Sequence, residues 1–211
     1  MILNNFKGKV FAGDKQVSQI YCGQTPLWSD DELDLNNDTQ IAFLFDTTGS
    51  MRSFIGQTRT LATGIAQKAL ELESNVQFAL ACFKDTNADG FSPSTDFTDI
   101  DTFQSAMPIN TSGGGDAAEN GYGAIVHARN TFSWNPSFKH SIFLITDNPS
   151  NSKGATQGAA LQALNEINAS FYYGIRNQPR NYQTLSDSTN GFFFSSLQSF
   201  LATIQLQQAA E

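Results

Sequence analysis

Apolar positions in the first thirty residues come as short runs broken by turn formers. Val10-Phe11, Val17 to Tyr21 and Leu27-Trp28 are β-prone pieces separated by Gly, Asp and Pro. The stretch is too small to hold a core alone, so residues 1–30 read as a β-rich docking arm. Residues 31–39, which overlap "SDDELDLNND" (29–38), read as an acidic linker. From residue 40 to 211 the pattern changes: apolar runs alternate with helical spacing. "IAFLF" (41–45) is continuous enough to be a fully buried strand, and "VQFALACF" (76–83) and "SIFLIT" (141–146) read the same way. "SFYYGI" and "GFFFSS" predict two more strands, and "STDFTDI" a short edge strand. Ile55, Leu61, Ile65, Ala69 and Leu72 recur at helical spacing over 53–72. Further helices are predicted over 117–130, 158–168 and 197–208. No internal repeat is evident.

Strands alternating with helices predict an α/β domain. Its mostly parallel, Rossmann-like central sheet carries helices on both faces, with the small amino-terminal β arm attached. In such sheets, sites gather at the carboxyl ends of the strands. Asp46 and Asp147 both stand there. An aspartate closing a buried apolar strand faces a covalent phosphate, a metal ion or a helix terminus. Three loops at that edge carry unusual chemistry: Asp46-Thr47-Thr48-Gly49-Ser50, "TSGGGDAAEN" with Asp116 and Glu119, and "ITDNPS" with Asp147. Carboxylates crowded together repel unless their pKa values rise or a cation joins them. Oxygen donors without Cys or a nearby His point to Mg²⁺, with Ca²⁺ or Mn²⁺ as alternatives.

Composition narrows the classes. The chain has 211 residues, 40% of them hydrophobic, and 18 are phenylalanine, which describes a chain with a real core. A net charge of −8 argues against nucleic acid and against anionic membrane surfaces, and suits a protein that takes up cations. No apolar run approaches the roughly 20 residues of a membrane span. The start, "MILNNFKGKV", lacks the apolar core of a secretory signal. Cys22 and Cys82 are far apart and read as two unrelated thiols or one disulfide. His127, within a helical run, and His140, before a strand, read as core-edge or surface residues.

"FLFDTTGSM", "TSGGGDAAEN" and "SIFLITD", in that order, resemble a von Willebrand factor type A domain with its metal-ion-dependent adhesion site. The family's Asp-x-Thr/Ser-x-Ser motif matches Asp46, Thr48 and Ser50, and its later strand-end aspartate matches Asp147. The middle loop is similar to the Asp-x-Pro-Glu loop of the integrin β-type and hemicentin-like branches. On that resemblance Glu119 is a metal ligand and Asp116 serves a neighbouring cation, although Ala118 stands where the branch has proline. Thr111 is an alternative ligand in the same loop. The resemblance implies a non-enzymatic adhesion module in which a carboxylate from a protein partner completes the metal's coordination. A second reading is a structural or assembly protein whose metal only clamps the loops.

Two rivals fail on residue types. A haloacid-dehalogenase-like phosphatase needs a second aspartate where Thr48 stands, and a well-placed lysine that is not obvious. A P-loop needs Gly-Lys-Ser/Thr, which is absent. The arm "VSQIYCGQTPLW" resembles short β segments of tailed-phage virion proteins. That implies a virion location, on a tail, fibre or capsid surface, with residues 1–30 holding other virion proteins.

Overall fold

The computed structural model describes residues 10–12, 15–17, 19–22, 25–29, 38–72, 75–115, 118–175, 180–196, 198–200 and 202. In the arm, β1 (Val10–Ala12) pairs antiparallel with β2 (Lys15–Val17), and β3 (Gln19–Cys22) with β4 (Thr25–Ser29). Ala12 faces Lys15 in the first pair and Cys22 faces Thr25 in the second. The two hairpins are alike in their short connections and differ in register. Each connection is two residues beginning with Gly, the composition that tight hairpins favour. The second pair slips register between Ile20 and Tyr21. Tyr21 there faces Pro26, which has no N–H to give to a ladder.

The main sheet has six strands. β5 (Thr39–Asp46) lies at its centre, between β6 (Val76–Phe83) and β8 (Lys139–Thr146), all parallel. β7 (Ser94–Thr98) is an antiparallel edge on β6. β9 (Ala169–Ile175) and the two-residue β10 (Phe193–Phe194) extend the other side in parallel. All eight residues of β5 are buried, because both faces of the sheet are covered. On one face Ala42, Leu44, Ala79 and Ala81 pack with residues of α3 (Gly121–Thr131), α4 (Gln157–Glu166) and α5 (Arg180–Asp187). Their small side chains let helices approach closely. On the other face Ile41, Phe43, Phe45 and Phe78 meet α1 (Ile55–Leu72), α2 (Ile100–Ala106) and Phe200. Phe43 there touches the rings of Phe103 and Phe143 at centroid distances of 5.1 and 5.2 Å.

Several expectations need correction. α1 starts after a 3₁₀ turn, Gly49–Ser53, instead of at Ser53. α3 starts at Gly121, not Ala117, because Glu119 and Asn120 spend their backbone groups on neighbouring loops. α2 and α5 were not foreseen. α2 is capped by Asp99, whose side chain accepts from Thr102 N, so the edge strand stops before Ile100. Of the closing helix over 197–208, residues 198–200 and 202 are described and are helical; the rest, like linker residues 31–37, lies outside the described residues, and Thr39, assigned to the linker, opens β5. No helix among the described residues is long and apolar enough to cross a membrane.

Candidate metal centre

The parallel register sets the ends of β5, β6 and β8 side by side, with Asp46 opposite Phe83. Asp46 is fully buried. Its Oδ1 accepts from Thr48 N (2.9 Å) and Thr48 Oγ1 (2.7 Å), and its Oδ2 accepts from Thr146 Oγ1 (2.7 Å). Thr48 Oγ1 lies 3.1 Å from Ser50 Oγ, which donates to Asp147 Oδ1 at 3.1 Å. Asp46, Thr48, Ser50 and Asp147 thus form one unbroken line of polar contacts across two loops. Thr48 precedes the 3₁₀ turn without capping it. The loop's polar residues serve one another, so helix capping does not explain them.

Glu119 joins from the third loop. Its N–H donates to Pro149 O (2.9 Å), and its carbonyl accepts from Asn151 N (2.7 Å). Its Oε1 accepts from Asn148 Nδ2 (3.3 Å), while Oε2 is buried with no hydrogen-bond donor. Burial pushes the Glu119 carboxyl up to about 9, helped by a hydrogen bond that its protonated form makes to Asp85 and by the charges of Asp46 and Asp85. Burial also pushes Asp46 up to about 6, against its hydrogen bonds to Thr48 and Thr146, and nearby Asp147 adds to the rise.

The glycine loop is zipped onto the first loop. Gly49 N donates to Gly113 O (2.9 Å), and Ser112 N to Thr47 O (3.0 Å). Gly114 has φ +80°, and a Cβ there would lie 2.8 Å from Thr48 Cβ. Both the backbone and the space demand glycine. Gly114→Ala is expected to cost about 1–3 kcal/mol, through strain and displaced Thr48, read as a lowered urea midpoint together with weaker cation binding. An unchanged cation affinity would show that Thr48's placement does not depend on this loop.

Of the candidate residues, Asp46, Thr48, Ser50, Glu119 and Asp147 come together. Thr111 makes no hydrogen bond to them among the described residues, and Asp116 lies outside the described residues. Residues that the sequence reading missed are Asp85, Thr146 and Lys84. Asp85 Oδ2 accepts from Gly115 N (2.7 Å), and its carboxylate lies beside Glu119. Lys84 Nζ donates to Ser112 Oγ (3.3 Å). The available signal was "VQFALACFKD", an apolar strand that ends, like β5, near a carboxylate. His127 stacks on Phe91, and His140 packs against the carbonyls of Ile167 and Asn135, both outside this set. Cys82 is a buried free thiol, pushed up to about 12 by burial.

Among the described residues no three His, Cys, Asp or Glu side chains form a metal-holding group by themselves. The donors assembled here are instead mixed hydroxyls and carboxylates. That set, with an orphaned buried carboxylate oxygen on Glu119, fits a hard divalent cation.

A family model described as von Willebrand factor A domain matches residues 40–174. Solved structures of proximal thread matrix protein 1 from the mussel byssus share the fold. One has a TM-score of 0.57 at 17% identity. Another, with a zinc-occupied adhesion-site motif, has a TM-score of 0.60 at 16% identity. Each alignment covers 82% of this chain and 45% of the mussel chain, so this chain spans less than half of that protein. No curated protein sequence matches significantly.

Proposed function

The chain belongs to the von Willebrand factor A domain family, and from that premise we propose that it is a non-enzymatic, divalent-cation-dependent adhesion module. The observation that carries this reading is the line Asp46–Thr48–Ser50–Asp147, with the buried Glu119 carboxyl on the adjacent loop feeling the charge of Asp46. Thr48 and Ser50 hydroxyls and the Asp147 and Glu119 carboxylates would hold the ion. Asp46, with both oxygens engaged, holds Thr48 from beneath and adds negative charge. Mg²⁺ is our choice of ion, with Ca²⁺ or Mn²⁺ as alternatives; the mussel protein's zinc-occupied motif supports a divalent cation in general. When bound, the ion supplies positive charge that a partner's carboxylate can meet. Glu119 in place of a threonine ligand supports placement in the integrin β/hemicentin-like branch.

The buried, doubly engaged Asp46 carboxylate counts against a nucleophile, and so against phosphatase chemistry. The loops are already joined by backbone bonds from Gly49 to Gly113, Ser112 to Thr47 and Glu119 to Pro149. A clamp of metal is therefore redundant, which favours adhesion over a purely structural ion. Ser50 is also exposed, leaving the site open on that side. The arm, residues 1–30, would anchor the domain to a virion, as its likeness to tailed-phage β segments suggests. Calorimetric titration with Mg²⁺ tests the site: one saturable ion is expected, lost in Ser50→Ala. Crystals grown with Mn²⁺ test the use: one coordination position should face solvent or a neighbour's carboxylate. An ion enclosed entirely by this chain's own groups would overturn the adhesion reading.

A further inference from the structure

We infer that the site selects clustered carboxylates, an acidic peptide with two or more successive Asp or Glu, over a lone acidic residue. This rests on the adhesion reading above and names its partner's chemistry. The chain as a whole is acidic, with 12 basic residues against 20 acidic ones. Yet the loops that build the site carry basic residues on their outer side. Arg52 is exposed in the 3₁₀ turn Gly49–Ser53, two residues past Ser50. Lys84 follows β6, and its Nζ lies along the glycine loop, bonded to Ser112 Oγ and 3.7 Å from where a Gly113 Cβ would stand. Lys153 is exposed in the loop after β8. The ion pairs Lys68–Glu71 and Arg129–Glu166 lie elsewhere and involve neither Arg52 nor Lys84.

The carboxylates have the opposite placement. Asp46, Glu119 and Asp147 are buried in the floor. Asp89, exposed in the β6–β7 connection, is committed to Thr86, accepting from both its N–H and its hydroxyl. The site's loops thus combine buried carboxylates, and the half-buried Asp85 bonded to Gly115 N, with Arg52 and Lys153 exposed and Lys84 along the glycine loop. A single carboxylate engages only the ion. In an extended peptide, neighbouring side chains lie about 3–7 Å further along, within the span that two rim cations can meet. Arg52 presents a planar fork suited to a carboxylate, and Lys84 a point charge. The domain's overall negative charge repels the same peptide at a distance, so its attachment depends on the ion and rim acting together.

Three probes test this: a Gly/Ser peptide with one Asp, the same peptide with three successive acidic residues, and the chain's own segment 29–38, "SDDELDLNND". In saturating Mg²⁺ the two clustered peptides are expected to bind at least about tenfold more tightly than the single-Asp peptide. The double variant Arg52→Gln/Lys84→Gln should bring that ratio close to one at a Mg²⁺ concentration that saturates the variant itself. Mg²⁺-dependent binding with no preference in the unmodified chain, or a preference that survives in the double variant, overturns the inference and leaves the adhesion reading standing. No Mg²⁺-dependent binding of any peptide overturns both. An oligonucleotide binding more tightly than every peptide would show a general polyanion site and also overturn it.

Discussion

Asp46→Asn is expected to weaken Mg²⁺ binding by about 10–100-fold while making the metal-free protein more stable at neutral pH. The two effects have one cause. Asparagine has nearly the same shape and keeps Oδ1 as an acceptor for Thr48 N and Oγ1, the bonds that order the first loop. Its amide meets Thr146 Oγ1, a hydroxyl able to turn and accept. What is lost is negative charge beneath the cation, together with the strong pull of a carboxylate on Thr48. What is gained is relief from a buried ionised group whose pKa burial has raised to about 6. At pH 7.5 that relief is on the order of 1–3 kcal/mol, by the usual conversion of a shift of this kind. Asp46→Ala would confuse the result, because it leaves Thr48 N and Thr146 without their acceptor. Chemical denaturation with chelator, and calorimetric titration with Mg²⁺, measure the two halves separately. A variant that is both less stable without metal and unimpaired in binding would show that Asp46 is an ordinary structural acceptor.

The strands and their terminal carboxylates were legible in the sequence because each follows from a local rule. Five apolar residues in a row, Ile41 to Phe45, leave little else for that stretch to be, and a carboxylate after such a run is conspicuous. Asp85 was not legible for the same reason in reverse. It lies two residues past Phe83, between a lysine and a threonine, without the Asp-x-Thr-x-Ser spacing that marks the first loop. Only the alignment of β5 with β6, and the return of the glycine loop, brings it to Glu119. Thr146 was hidden as the last residue of an apolar run, although it takes up the second oxygen of Asp46.

The missed and misplaced helices have separate causes. α5, "RNYQTLSD", offers only Tyr182 and Leu185 as buried apolar residues, too few for a periodic signal. The two alanines before Glu119 favoured an early start to α3, but pairing of Glu119 and Asn120 with distant backbone outweighed propensity.

Removing the cation is expected to make stability fall as pH rises from about 4 to 9, and restoring it should largely abolish that slope. The sign follows from the direction of the shifts. Glu119 and Asp46 have carboxyls raised from 4.5 to about 9 and from 3.8 to about 6. Below the unfolded values both folded and unfolded chains are protonated, and neither group discriminates. Between the unfolded and folded values the unfolded chain has released its protons while the folded chain keeps them. The unfolded state therefore gains with each step of pH until the folded groups ionise too. For a chain of this size, the metal-free melting temperature should fall by about 5 °C or more between pH 5 and pH 8.5. A divalent cation replaces the proton on Glu119, so its binding near pH 7 should release about one proton, measurable by calorimetry in buffers of different ionisation enthalpy. Glu119→Gln should flatten the metal-free profile and abolish that proton release. A metal-free profile that rises over the same range would mean that Glu119 is ionised without a cation. The raised carboxyl that a cation would displace a proton from would then be absent, and the calorimetric proton release would not occur.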